Sequence, residues 1–255
     1  MTDQEGSGTV TAALIVIGEE ILSGRTEDEN IAYIASYLTR IGIALREIRV
    51  VPDLEGEIIA AVNELRRRFT YVFTTGGIGP THDDVTTDAI AKAFNVEVVV
   101  DPEAVVAMRR HFSDKELSPA RLRMARIPKG AILIDNAISR APGFMIENVI
   151  VMAGVPRIMQ VMLDAVAPRL AKGRPMLSRA VRIDAPEGDA APGLAELQSA
   201  HPGVEIGSYP FFENKRLGTY VVLRSTDAGK LAAAENALWI VIHNEGFAAA
   251  AADEA

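Results

Sequence analysis

Thr74-Thr75-Gly76-Gly77-Ile78-Gly79-Pro80-Thr81-His82-Asp83-Asp84 follows directly on the apolar run Tyr71-Val72-Phe73. A short apolar run that breaks into three glycines, a proline and two adjacent aspartates reads as a buried strand entering a loop. The backbone of that loop must let something come close. Past the aspartates, residues 85–94 carry a helical period. Strand, glycine loop and helix form the unit of an open α/β sheet, whose ligands bind outside the carboxyl ends of the strands.

The same alternation extends in both directions. Ala12-Ala13-Leu14-Ile15-Val16-Ile17 is a continuous apolar strand of the kind a parallel sheet buries on both faces. Residues 30–38 place Ile31, Ile34, Ala35 and Leu38 at helical spacing, with Thr26-Glu27-Asp28-Glu29 as a capping box before them and Gly42 after. A strand is expected over 43–51, a turn at Pro52-Asp53 and a helix over 54–69. Val96 to Val100 forms a β-branched run; helices are expected over 102–112 and 118–125, and a strand over 148–152. Pro156 falls where the first turn of the next helix begins. The fold class is therefore α/β, with a mostly parallel sheet.

After Lys172-Gly173-Arg174-Pro175 the pattern changes to short strands (180–183, 204–206, 220–223) and two helical stretches (193–200, 228–242). Two domains are expected, 1–174 and a small α+β domain over 175–255. Ser208-Tyr209-Pro210 and Phe211-Phe212 are the expected contact surface of the second, with one phenylalanine exposed. The terminal GFAAAAADEA reads as a frayed tail.

With 255 residues, 49% hydrophobic and 24% charged, the chain can bury a sizeable core. A net charge of −8 argues against nucleic acid or anionic membrane as partner. The absence of cysteine excludes disulfides, thiolate zinc sites and a cysteine nucleophile, and fits a reducing compartment. Neither a signal peptide nor a membrane-spanning stretch is visible, so a cytoplasmic protein is expected.

Gly76, Gly77 and Gly79 can form an anion-binding nest of backbone amides, and Thr74, Thr75, Thr81, Thr86 and Thr87 surround it with hydroxyls. A carboxylate beside a bound phosphate is repulsive unless a cation bridges the two, so Asp83 and Asp84 point to a divalent metal shared with ligand phosphate. Asp84 also reads as the cap of the helix starting at Val85. Glu19 and Glu20 follow the first strand and Asp53 the second, so all three fall on the same sheet edge. Taken alone, Glu19 and Glu20 read first as ordinary glutamates of a solvated loop and Asp53 as a turn residue, with metal binding or water activation as the other reading. Arg121, Arg123 and Arg126 read as the solvated side of a helix that could also reach an anion. His82 reads as exposed.

TTGGIGPTHDDVT, with GEEILSG upstream and Pro52-Asp53 between, resembles the molybdopterin-binding domain family of MoaB/Mog-like proteins. The likeness is nearer to the N-terminal part of the competence/damage-inducible protein CinA and to the molybdopterin-binding-like domain of FAD synthase. Ile127-Pro128-Lys129-Gly130-Ala131, Ala141-Pro142-Gly143-Phe144, Gly154-Val155-Pro156 and Ile206-Gly207-Ser208-Tyr209-Pro210 continue it along nearly the whole chain. Glu19, where relatives carry Asp or Thr, and Ala153 before Gly154-Val155-Pro156 depart from the pattern.

The resemblance implies a three-layer α/β sandwich with phosphate bound by Thr75, Gly76, Gly77, Gly79 and Thr86. It implies a catalytic and metal-binding role for Asp84 and Asp53. Glu20, at the end of the first strand, is the expected third member of the set, served by Mg²⁺, Mn²⁺ or Co²⁺ with K⁺ as a candidate accompanying ion. The expected activity is metal-dependent hydrolysis of a nucleotide pyrophosphate bond, in ADP-ribose or an FAD-like dinucleotide. The rivals are molybdopterin adenylylation and a non-catalytic nucleotide- or pterin-binding module. The expected partners are a nucleotide or pterin and further copies of the chain, as a dimer or trimer. Neither the deamidase activity of full CinA nor the synthetase activity of FAD synthase is expected.

Overall fold

The computed structural model describes residues 9–111, 117–213 and 216–252. They divide into two compact units that meet in the chain at Gly173 and Arg174. Phe112 and Asn214 lie outside the described residues, as do the last three residues of the C-terminal tail.

The first unit begins β1 (Val10–Ile17), α1 (Glu19–Leu22), α2 (Asn30–Arg40), β2 (Ile43–Val51), α3 (Glu55–Arg68), β3 (Tyr71–Thr75) and α4 (Thr86–Ala93). It continues with β4 (Val98–Val100), α5 (Pro102–His111), α6 (Pro119–Arg123), β5 (Arg126–Pro128), β6 (Ile132–Ile134), β7 (Gly143–Ile146), β8 (Val149–Met152) and α7 (Pro156–Val166). Its main sheet runs β2-β1-β3-β8-β7-β6. The first four strands are parallel, and β7 and β6 return antiparallel at the edge.

Alternation along β1 explains the three layers. Ala13, Ile15 and Ile17 join a core with Ile58, Val62 and Leu65 of α3 and Ile90 of α4. Ala12, Leu14 and Val16 join a second core with Ile34 and Leu38 of α2 and Met159, Met162 and Leu163 of α7. A strand buried on both faces needs apolar residues at every position, and β1 supplies them. Phe73 of β3 is fully buried in the second core, so truncating it to alanine should cost about 3–5 kcal/mol. The fold is thus the expected α/β sandwich with a mostly parallel sheet.

Three local readings change. Residue Asp28 caps α2, its Oδ1 accepting from the Ile31 amide at 2.6 Å, so Thr26 is not the cap. Helix α4 starts one residue later than expected, at Thr86. The hairpin of β6 and β7 was not anticipated, because strands of three and four residues leave almost no periodic signal.

The second unit comprises β9 (Leu177–Ile183), α8 (Glu187–Ala200), β10 (Glu205–Glu213), β11 (Arg216–Ser225), α9 (Ala228–Glu245) and β12 (Ala249–Ala252). Its antiparallel sheet runs β10-β11-β9-β12, with α8 and α9 packed on the face that carries Val181, Ile183, Val221 and Leu223. The alanine run expected as a frayed tail instead contributes edge strand β12, paired with β9. Of the two phenylalanines in β10, Phe211 packs on Tyr220 with ring centroids 4.7 Å apart, whereas Phe212 is exposed. The outer edge of β10 is blunted: Pro210 has no N–H, and the Ile206 amide is taken by Gln198 Oε1 at 3.0 Å. Among the described residues no helix is long and apolar enough to cross a membrane.

Candidate functional site

The switch point of the main sheet places the site. From β1 the chain passes over one face through α2 to β2, then over the other face through α3 to β3, on the far side of β1. A crevice opens at the carboxyl ends of β1 and β3, as in other sheets of this topology. Register aligns those ends, with Val16 opposite Thr75 and Thr75 opposite Met152. The loops that follow β1, β3 and β8 therefore meet.

They meet too closely for side chains. At Gly76 (φ 103°) a Cβ would lie 2.1 Å from the Ile17 carbonyl oxygen, and at Gly77 (φ 66°) it would lie 2.1 Å from Thr86 Oγ1. A Cβ on Gly154 would lie 3.3 Å from the Gly76 Cα. Both positive φ values and both contacts demand glycine. Among the described residues, the amides of Gly77 and Ile78 donate to no protein acceptor. Backbone amides are obligatory donors, so successive unpaired N–H groups at a cleft wall form a nest for an anion. Together these loops line a cleft of about 560 Å³ that also takes in Glu20, Asp84, Met124, Asn136, Ile158 and Met162.

Asp84 does not cap α4. Its Oδ1 accepts from the Gly79 amide at 2.7 Å, and its Oδ2 accepts from the Thr81 amide at 2.7 Å and from the Thr81 hydroxyl. The carboxylate thus clasps the turn that carries the glycines, and the cap reading is corrected. The Thr86 hydroxyl is fully buried and donates to the Gly76 carbonyl at 3.0 Å, while its amide donates to the Gly77 carbonyl at 3.0 Å. Both polar groups are engaged beneath the loop, so Thr86 positions it and is not available as a phosphate donor. Thr75 ends β3 with its hydroxyl buried and unpartnered. His82 is exposed, as expected.

The other carboxylates approach from the β1 and β2 ends. Asp53 Oδ2 accepts from the Glu19 amide at 2.9 Å, which ties the turn after β2 to the start of α1. Glu20 folds back over Gly18, where a Cβ would lie 2.8 Å from its carboxylate oxygens. Burial pushes the Asp53 carboxyl above its usual range, and the negative charges of Glu20, Asp83 and Asp84 push it the same way. Among the described residues no three Asp, Glu or His side chains are grouped as ligands of one metal ion. The expected set of Asp84, Asp53 and Glu20 is therefore not a ready-made cage. The accumulated negative charge does fit a cation of the Mg²⁺ type, which takes one or two carboxylates and completes its shell from ligand phosphate and water.

Several contributors were missed. Asn30, buried at the start of α2, donates Nδ2 to the Gly154 carbonyl at 2.7 Å and fixes the loop after β8. Asn136 is buried and shapes the far wall, bonding to Ser139 Oγ at 2.6 Å and the Ala141 carbonyl at 2.8 Å. Only the Ala141-Pro142-Gly143 and Gly154-Val155-Pro156 turns marked these loops in the sequence. Arg126, expected on the solvated side of a helix, lies in β5 and pairs with both oxygens of Asp88, at 2.6 and 3.1 Å.

A family model described as "Probable molybdopterin binding domain" matches residues 13–172, and one described as "FAD synthase, middle domain" matches residues 175–249. A protein of Pyrobaculum calidifontis is 36% identical over 211 residues, covering 78% of this chain and 80% of its own. A CinA-like protein of Desulfosudis oleivorans is 38% identical over 209 residues, and the match covers 77% of this chain but 51% of that protein. The crystal structure of the protein CinA, of unknown function, from Thermoplasma acidophilum superposes with a TM-score of 0.60 at 34% identity. It covers 64% of this chain and 99% of that one.

Proposed function

Because this chain belongs to the probable molybdopterin binding domain family, we propose that its first unit binds a phosphate-bearing nucleotide or pterin at the 76–79 loop and hydrolyses a nucleotide pyrophosphate bond there. The observation that carries the reading is the pair of unpaired amides at Gly77 and Ile78, in a loop that lines a cleft at the switch point of the sheet. They bind phosphate oxygens without a side chain in the way, and the Asp84 clasp holds them in place before the ligand arrives.

Asp53 and Glu20 would hold a divalent cation, which supplies positive charge and Lewis acidity at the reacting phosphorus. Asp53 keeps its orientation through the Glu19 amide. Beyond the phosphates, Met124 and Ile158 offer a soft apolar surface for a flat ring. The match of the second unit to the FAD synthase middle domain adds FAD to ADP-ribose as a substrate to test.

A second reading, binding of a pterin phosphate without hydrolysis, is favoured by the lack of three grouped carboxylates among the described residues. One experiment separates the two. AMP release from ADP-ribose and FAD is measured with Mg²⁺, Mn²⁺ and Co²⁺, alongside calorimetric titration of AMP. Metal-dependent release supports hydrolysis; AMP binding without release leaves the second reading, which titration of a pterin phosphate then tests directly; absence of release together with no binding of either ligand removes both.

A further inference from the structure

The turn between β6 and β7 leaves the sheet at the same edge as the glycine loop, because β6 runs antiparallel to β7 and β7 antiparallel to β8. Asn136 holds this turn from inside. Its Oδ1 accepts from the backbone amides of Ile138 at 3.0 Å and Ser139 at 3.2 Å. An amide N–H can only donate, so these two bonds fix which end of the Asn136 side chain is oxygen. Its Nδ2 donates to the Ala141 carbonyl at 2.8 Å and to Ser139 Oγ at 2.6 Å. Ser139 Oγ is therefore the acceptor in that bond, and its own proton points elsewhere. Among the described residues that proton has no protein acceptor. Arg140, next in the chain, is held at φ 59° with its amide on the Asn136 carbonyl at 3.0 Å. A non-glycine residue keeps this left-handed conformation only where its surroundings impose it, so the turn has a fixed shape. Half-buried Ser139 lines the cleft together with Asn136, Ala141 and Pro142.

Distance separates this hydroxyl from the phosphate end of a ligand. Strands β7 and β6 are the second and third out from β3. At about 4.8 Å per strand, the turn between them lies about 10–14 Å along the sheet edge from the 76–79 loop. A phosphate seated in that loop is out of reach, whereas a base joined to its phosphate through a ribose spans such a distance. Met124 and Ile158 give apolar contact in the same cleft, but apolar contact does not tell one flat ring from another; a fixed donor does. We infer that Ser139 is a specificity-determining residue of the cleft, donating its hydroxyl proton to an acceptor atom on the edge of a nucleotide base, with Asn136 as its positioning residue. The inference rests on the nucleotide-phosphate reading of the 76–79 loop and adds recognition of the base to it.

The test is calorimetric titration of AMP and of ribose 5-phosphate, which lacks the base, into the full chain in EDTA, for the parent and Ser139→Ala. The parent should bind AMP more tightly than ribose 5-phosphate. Ser139→Ala should weaken AMP about three- to tenfold, the worth of one hydrogen bond, and leave ribose 5-phosphate unchanged. Equal affinities of the parent for the two ligands overturn the inference with no variant needed, and so does an AMP affinity unchanged in Ser139→Ala. An equal loss for both ligands in Ser139→Ala also overturns it, since the serine would then only support the turn. In each of these cases AMP binding to the parent leaves the 76–79 loop standing. A parent that binds neither ligand removes the nucleotide reading of the loop, and the contact to the base falls with it.

Discussion

Replacing Asp84 by Asn tests whether this carboxylate builds the loop or only holds a metal. In the native turn one oxygen accepts from Gly79 and the other from Thr81, through both its amide and its hydroxyl. An amide keeps one acceptor oxygen and turns the other position into a donor facing a donor. At least one charge-assisted bond is lost, worth about 1.5–3 kcal/mol. Removing the negative charge should favour a nearby phosphate, but at about 7 Å in a water-like dielectric that gain is only about 0.6 kcal/mol. The loop term wins. It appears in affinity because an unclasped loop must be reordered on binding, so AMP should bind about tenfold more weakly. The titration is done in EDTA, where no metal role contributes. Unchanged or tighter AMP binding under those conditions would refute the clasp.

Gly24→Ala and Gly77→Ala share a positive φ, at 70° and 66°, but only the second meets a close contact. Melting should show a cost of about 1–2 kcal/mol at Gly24, from backbone conformation alone. Gly77→Ala should in addition abolish AMP binding, and equal behaviour of the two variants would show that the 76–79 loop is only a turn. Asp53→Asn and Glu20→Gln should lower metal-dependent AMP release by about 10²-fold and leave AMP binding in EDTA intact, because the Asn amide retains an oxygen for the Glu19 N–H. Undiminished turnover at saturating metal would remove the carboxylates from the mechanism. A fragment of residues 1–173 should fold and bind AMP within about twofold of the full chain, because each unit has its own core. A fragment that does not melt cooperatively would show that the first unit depends on the second.

The parallel part of the sheet was legible because its strands are buried on both faces and so read as unbroken apolar runs, as in residues 12–17. The short hairpin of β6 and β7 was not, since its pairing is set by contact with β8 and not by any local pattern. The alanine run of β12 was misread for a similar reason. Alanine has little strand preference, and residues 249–252 become a strand only because β9 offers a free edge.

Side-chain chemistry at the site divides in a comparable way. Glycines at 76 and 77 were readable because their requirement comes from backbone geometry, which a short sequence can announce. Carboxylates were harder to assign, since Asp caps helices, clasps turns and binds metals with the same two oxygens. What separates these roles is which donors come within reach, and that depends on the path of the intervening chain. For Asp84 the donors are the amides of Gly79 and Thr81, so the turn folds back upon the carboxylate and keeps it from α4. Asp53 has a single amide partner and three negative neighbours, and is left with the capacity a cation would use. Of the acidic residues singled out in the sequence, the one beside the glycines thus serves the loop. The one 31 positions earlier, beyond a strand and a helix, is the better candidate for chemistry.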